Sequence, residues 1–307
     1  MSNRLQDLLQ HWQKAPELQW VLATLVSVQG SSYRKMGAMM FINSMGQHFG
    51  MLSGGCLEAE IMRQSRRTLD DGHSRVLLFD MSDEDDLAWQ LGIGCGGRLE
   101  ILVQAVLPEN NALSLNELQA CLDARETCYY LQSMEQGASE SRLLKAKELQ
   151  EHPELKGKTQ QLYCDSDGHK WFVQEIKPSP HIAIFGGGVD AQPLVNMASE
   201  LGWQITLCDP RSAYARSAYF PKANQIYKMP ISELGAQAWM QAIDIAIVMH
   251  HNLKLDGEAL QMLQHSSALY VGLLGPYHRT ERLLSDMNMN LAQLTLPLAN
   301  PVGLNLG

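Results

Sequence analysis

No apolar run in this sequence is long enough to cross a bilayer: the longest, such as WVLATLV and ALYVGLLG, fall well short of the roughly 18 to 20 residues that a membrane helix requires. Positive charge is also scarce. The 24 Lys and Arg are outnumbered by 33 Asp and Glu, a formal net charge of -9, so there is no broad basic surface on which a nucleic-acid backbone could lie. The six cysteines include no C-x-x-C pair, which removes zinc knuckles and disulfide scaffolds and leaves any functional thiol to act singly. The opening MSNRLQDLLQHWQK lacks the apolar core of a signal peptide. Leu5, Leu8, Leu9 and Trp12 recur instead at the spacing of an amphipathic helix. A cytoplasmic protein without a membrane or nucleic-acid partner is expected.

What the sequence does contain is apolar side chain, 45% of 307 residues, enough for two hydrophobic cores and two domains. In the first, Trp20 to Val28 reads as a buried strand and Met39 to Ile42 with Gln47 to Leu52 as a hairpin. Cys56 to Leu69 reads as a helix ended by Asp70, Asp71 and Gly72, and Arg75 to Phe79 and Arg98 to Val106 as further strands. The acidic run Asp83 to Asp86 reads as a solvated loop or helix start. From Pro108 to Pro178 the pattern weakens to a polar helical stretch near Glu140 to Gln150 and short aromatic strands at Tyr129 to Leu131 and Trp171 to Val173, a middle extension of the first domain. Lys177-Pro178-Ser179-Pro180 marks the boundary, because its prolines resist both helix and ladder pairing. Beyond it His181 to Phe185, Gln204 to Cys208, Gln225 to Met229, Asp244 to Met249 and Leu269 to Leu273 alternate with helix-length segments. The fold predicted is α/β: a mixed α+β domain over residues 1–177, then a Rossmann-like doubly wound parallel sheet over 178–307.

A handful of motifs carry chemistry. Gly186-x-Gly188-x-x-Ala191 follows a strand and opens a helix, where small residues let backbone N–H groups approach a pyrophosphate, and Asp209 ends the next strand where a carboxylate meets a ribose hydroxyl. Alternatively, such a turn only packs helix on sheet. Ser53-Gly54-Gly55-Cys56 lies between a hairpin and a helix start, where glycines form a nest of N–H groups aimed at an anion and a helix start favours the thiolate. A second cysteine, Cys95, sits in the bare loop Gly92-Ile93-Gly94-Cys95-Gly96-Gly97. Soft sulfur on such loops suits a metal or sulfur transfer, so Cys56 and Cys95 are the metal-ligand candidates, against the alternative of small buried residues. Cys121, Cys128, Cys164 and Cys208 read as packing residues. Gly30-Ser31-Ser32-Tyr33-Arg34-Lys35 is a turn with the hydroxyls and charge to clamp a phosphate, or an ordinary surface turn. His250-His251 ends the fourth strand of the parallel sheet, where ligands collect, and only one of the two can face the cleft. Arg279 and Arg282, after Gly275-Pro276-Tyr277-His278, read as cleft or solvated residues.

Taken in order, GSSYRKMGAMM, LSGGCLEAE, GIGCGG, HIAIFGGG, CDPR, VMHHNLKLD and GLLGPYHRTERLL resemble the xanthine dehydrogenase accessory protein family of XdhC/CoxI type, from about residue 15 onward. The resemblance implies a molybdenum cofactor chaperone that binds and protects the pterin cofactor, as molybdopterin or its dinucleotide. It further implies help from a cysteine desulfurase in exchanging a molybdenum oxygen for sulfur, and insertion into an apo-molybdoenzyme of the xanthine dehydrogenase type. Carried onto this chain, it makes Cys56 and Cys95 the thiols nearest the cofactor, with Ser31, Ser32, Arg34, Gly54 and Gly55 around them, and Gly186, Gly188, Asp209 and His250 a nucleotide-type cradle. The chain departs from the family pattern at Pro276-Tyr277-His278-Arg279, in place of a basic run, and at Gly307, where relatives continue into another helix; weaker partner docking is expected from the latter. The reading favours an accessory factor over an enzyme and leaves a homo-oligomer open. The alternative is an NAD(P)-dependent oxidoreductase using Gly186, Gly188 and Asp209, with His250 or His251 as acid or base.

Overall fold

The computed structural model describes residues 3–80, 97–137, 139–157 and 159–302, which fall into two compact units, Met1–Pro178 and Ser179–Gly307. In the first, strand β1 (Trp20–Gln29) is buried along seven consecutive residues because both of its faces are covered. Trp20 and Leu22 pack with Leu8 and Leu9 of helix α1 (Leu5–Gln13), while Val21, Ala23 and Leu25 pack with Ile61 of helix α2 (Glu58–Asp71). β1 is the centre of an antiparallel sheet ordered β3–β2–β1–β5–β4, with β2 Met39–Asn43, β3 His48–Phe49, β4 Arg75–Asp80 and β5 Arg98–Val106. Its register sets Gln29 opposite Arg98, so the chain leaves β1 where it enters β5.

Helix α2 begins at Glu58, two residues after Cys56, and runs to Asp71, closed by Gly72 at φ +72. Cys56 therefore belongs to the loop and not to the helix that the sequence pattern suggested. The middle segment also differs from expectation. After α3 (Leu115–Asp123) come four strands, β6 Cys128–Ser133, β7 Ser141–Lys145, β8 Gln160–Cys164 and β9 Lys170–Ile176, in an antiparallel sheet ordered β7–β6–β9–β8. Only Ala146–Gln150 of the expected polar helix is helical, as a short 3-10 turn. β7 is an edge strand with a solvated side, so its composition imitates the wet face of a helix, while the ladder pairing Tyr130 with Leu143 sets its backbone.

The second unit is a six-stranded parallel sheet ordered β12–β11–β10–β13–β14–β15, with β10 His181–Phe185, β11 Gln204–Cys208, β12 Gln225–Tyr227, β13 Ile245–Val248, β14 Tyr270–Leu273 and β15 Leu298–Ala299. Ala191, Val195 and Ala198 of α4 (Ala191–Glu200) cover Ile182, Ile184, Ile205 and Leu207 on one face. On the other, α5 (Ile231–Leu234), α6 (Leu253–Leu263) and α7 (Tyr277–Asp286) cover Ala183, Phe185, Ala246 and Val248. This is a doubly wound Rossmann sheet whose strand order reverses between β10 and β13, the place where such sheets bind ligands. Among the described residues no helix is long and apolar enough to cross a membrane.

Candidate functional site

Two loops and the start of β5 meet at the end of β1. The Gly30–Lys35 turn leaves the strand, and Tyr33 lays its ring against Gly54: a β-carbon there would stand 3.0 Å from Cδ2 of the ring. On the other side the backbone of the same turn presses on Gly97, where a β-carbon would overlap the Ser31 carbonyl oxygen and lie 2.9 Å from that of Gln29. Only a glycine fits there, so the residue two places after Cys95 is docked on the turn that also contacts the Cys56 loop. Cys95 itself, with Gly92 to Gly96 and the acidic run Asp83 to Asp86, lies outside the described residues. Within the turn Ser32 Oγ donates to the Arg34 carbonyl oxygen at 2.5 Å, which curls the loop and commits that hydroxyl. Arg34 is half-buried and, among the described residues, forms no ion pair. With Tyr33, Lys35 and Gln160 of β8 it lines a cavity of about 400 Å³. The middle sheet thus contributes a wall, fastened where Gln174 Nε2 donates to the Gly37 carbonyl at 3.2 Å.

Cys56 is exposed on a loop pinned at both ends by the fully buried Leu52 and Leu57. Gly54 and Gly55 hold φ of +80 and +107, conformations that L side chains rarely adopt. The N–H groups of this loop do gather around an anion, but the anion is the protein's own. Glu58 Oε1 accepts from Leu52 N at 3.0 Å and Ser53 N at 2.8 Å, and Oε2 accepts from Gly55 N at 2.8 Å and Ser53 Oγ at 2.5 Å. Ser53 Oγ in turn accepts from Leu57 N at 2.7 Å. Burial opposes ionisation of Glu58, and the hydrogen bonds from Ser53 and Leu52 outweigh it, so its pKa lies below the ordinary value. The nest that the sequence pattern aimed at a ligand is filled from within. Glu58 was legible only as a helix-start carboxylate; its spacing of five from Ser53 is longer than the three of a capping box.

Of the remaining cysteines, Cys121, Cys128 and Cys208 are buried, and burial is the main cause that pushes the Cys128 thiol up to about 12 and that of Cys208 upward too. Cys164, expected to be a packing residue, is exposed because it points outward from the edge strand β8. Among the described residues no three His, Cys, Asp or Glu side chains are grouped to hold a metal.

In the second unit each glycine of the turn after β10 has its own reason. Gly186, at φ +127, passes so close to the end of β13 that a β-carbon would lie 2.5 Å from the Met249 carbonyl carbon. Gly187 abuts Tyr214 and Ala215, and at Gly188 a β-carbon would meet only the movable carboxylate of Asp190. Asp209 is fully buried and committed. Its Oδ2 accepts from Gly187 N at 2.8 Å and Arg211 Nη2 at 2.7 Å, and its Oδ1 from Arg211 N and Nε, both at 2.9 Å. Burial works against its ionisation, yet those donors hold its pKa below the usual range.

The two histidines diverge as expected. His251 is exposed and bonds Asp190 at 2.5 Å, whereas His250 is buried, its Nδ1 3.0 Å from Asp256 Oδ1 and its Nε2, among the described residues, without a partner. Asp256, fully buried, also accepts from Arg279 Nη2 at 2.5 Å, so Arg279 is part of an internal network and not a solvated charge. In the sequence Asp256 is only the last residue of the VMHHNLKLD segment, with no role attached, since a single acid in a helix pattern looks like any surface residue.

The comparisons with known proteins reach both units. A probable xanthine dehydrogenase subunit of Bacillus subtilis (strain 168) is 31% identical over 296 residues, 94% of this chain and 87% of that one. The chain belongs to the XdhC and CoxI family. The model of that name matches residues 14–80, and the model of the XdhC Rossmann domain matches residues 182–307. A second relative of this XdhC-type chain, "Molybdenum cofactor insertion chaperone PaoD" of Escherichia coli (strain K12), is 24% identical over 269 residues, 86% of the chain and 69% of PaoD. The crystal structure of a protein named a xanthine dehydrogenase from Bacillus halodurans superposes with a TM-score of 0.81 at 27% identity, covering 100% of this chain and 90% of that one.

Proposed function

We propose that this XdhC-type protein is a molybdenum cofactor chaperone, which holds the pterin cofactor, shields its metal end and hands it to an apo-molybdoenzyme of the xanthine dehydrogenase type. The observation that carries the reading is that one turn, Gly30–Lys35, touches both Gly54, two residues before the exposed Cys56, and Gly97, two residues after Cys95 in the sequence. Such a cofactor joins a phosphate to a metal bound by sulfur. The donor set fits that chemistry, with thiols at Cys56 and Cys95 for the soft metal end and Ser31 and Arg34 for the anionic end, Ser32 shaping the turn. Sulfuration with a cysteine desulfurase belongs to the same reading, since a loop thiol facing the metal also faces the place where sulfur is exchanged. When bound, the cofactor supplies redox chemistry to the client enzyme, and this chain's own part is to bind, orient and exclude water. The names of the two relatives support the assignment.

For the second unit by itself the reading is a nucleotide-type cradle at the Gly186–Gly188 turn, with Asp209, held by Gly187 and Arg211, and His250, held by Asp256, shaping that turn from inside. The dehydrogenase reading draws little from the same residues: Asp209 is occupied by Arg211 and Gly187, and His250 is tied to Asp256 inside the fold.

The test is anaerobic purification from a host that makes the cofactor, followed by elemental analysis for molybdenum and fluorescence of the oxidised pterin. The wild-type protein is expected to retain both. Cys56→Ala and Cys95→Ala are expected to lose most of the metal, and Cys56→Ala to melt as the wild type does, within about 0.5 kcal/mol, because an exposed loop thiol packs against little. A wild-type protein free of molybdenum and pterin, or variants that retain them fully, overturns the assignment.

A further inference from the structure

The loop that presents Cys56 has few means of keeping its shape. Gly54, Gly55 and Cys56 are exposed, two of the three are in left-handed conformations, and only Leu52 and Leu57 are packed in the core. What defines the path between those anchors is the Glu58 carboxylate, which gathers four donors from Leu52, Ser53 and Gly55, with Ser53 Oγ relaying the constraint to Leu57. Glu58 also stands in the first turn of α2, where a negative charge is favoured by the helix dipole.

We infer that Glu58 is the positioning residue for Cys56: a built-in anion that keeps the loop folded without ligand and closes its N–H nest to outside anions. The functional consequence rests on the reading of Cys56 as a cofactor-facing thiol; the structural claim does not. An anionic group of the cofactor must then be held elsewhere, and the Ser31–Arg34 turn is the neighbouring place with a cation that has no acid partner among the described residues. A glutamine at position 58 keeps one acceptor oxygen but turns an N–H₂ toward the donors on the Oε2 side, so the Gly55 N–H loses its partner. An alanine empties the nest altogether.

The experiment uses the full chain as wild type, Glu58→Gln, Glu58→Ala and Cys56→Ala, with amide hydrogen exchange read across residues 50–58 and across β1 and β5. Exchange at Gly55 is expected to speed up about tenfold or more in Glu58→Gln, the loss of one charge-assisted hydrogen bond, with the strand amides unchanged. In Glu58→Ala, added formate is expected to restore protection while formamide does not, and in the wild type formate is expected to change nothing. Rescue by a carboxylate is a readout that a merely space-filling residue would not give. Unchanged exchange in both Glu58 variants, or formate binding in the wild-type loop, overturns the inference. If Glu58→Ala does not fold, Glu58→Gln and the wild-type formate arm decide it. Molybdenum retention is scored separately: its absence from the wild type, with the loop responding as expected, removes the cofactor assignment and leaves the positioning role standing. Full retention by folded Glu58→Gln, with metal lost from Cys56→Ala, removes the functional consequence alone.

Discussion

At the scale of single residues, the glycines of the parallel sheet's first turn separate structure from binding. Gly186 combines φ +127 with backbone at 2.5 Å from a would-be β-carbon, whereas Gly188 faces only the Asp190 carboxylate. Gly186→Ala is expected to cost on the order of 2–4 kcal/mol through strain and displacement of the β13 end, and Gly188→Ala less than about 1 kcal/mol. Urea unfolding of both variants checks this; equal losses would mean that the turn is strained uniformly. Gly188→Val, which fills the open side, is expected to weaken binding of a dinucleotide or pyrophosphate by calorimetry while the first unit's fold is kept. The thiols sort by exposure in the same way. Native alkylation mapped by mass spectrometry is expected to label Cys56 and Cys164 first and to spare Cys121, Cys128 and Cys208 until unfolding, since burial holds Cys128 and Cys208 as neutral thiols. Labelling of Cys128 as fast as Cys56 would contradict that order.

At the scale of elements, helix α6 shows how a local rule and a tertiary network share one segment. Asn252 caps it by accepting from Leu255 N at 3.1 Å, and one turn later Asp256 faces inward to His250 and Arg279. Asn252→Ala is expected to lower stability by about 1 kcal/mol, the ordinary value of a cap. Asp256→Asn is expected to cost about 3 kcal/mol or more, because it leaves Arg279 and buried His250 facing an uncharged partner. Thermal melts of the two variants side by side test the ratio, and an Asp256→Asn loss no larger than the cap's would show the network to be dispensable. The cap joins residues three apart in sequence, whereas the network joins residues brought together from separate elements. The same contrast explains the middle segment, where edge strand β7 has a composition that does not distinguish it from a polar helix until its partner β6 is in place.

For the molecule as a whole, Glu58, Asp209 and Asp256 are buried carboxylates whose pKa values are all lowered. In each, desolvation opposes ionisation and donors overcome it: Ser53 and Leu52, Arg211 and Gly187, and His250 and Arg279 respectively. A lowered folded-state pKa means that the unfolded chain takes up protons first as pH falls. The stability these groups contribute is therefore complete above the ordinary carboxylate value of about 4 and disappears as pH drops through their folded values below it. Urea midpoints measured from pH 7 downward are expected to be insensitive to these three groups until about pH 4 and to fall steeply below. A fall at pH 5 to 6 that Asp256→Asn abolishes would reverse the sign for that group.

The sequence by itself determined the features that depend on a few neighbouring residues: the parallel sheet after residue 180, its glycine turn, the bare loop at Cys56 and the diverging histidines. Each follows from local sterics, such as a positive φ that only glycine tolerates, or from a strand-length apolar run. Tertiary structure alone decided where the charges went. Glu58 fills the nest of its own loop, Asp209 meets Gly187 across 22 residues, and Arg279 reaches Asp256 across 23. It also decided that Gly97 and Gly54 share the Ser31–Tyr33 turn. These pairings follow from strand order and register, which bring distant residues within 3 Å, and a carboxylate's partner is whichever donor that packing delivers once water is excluded.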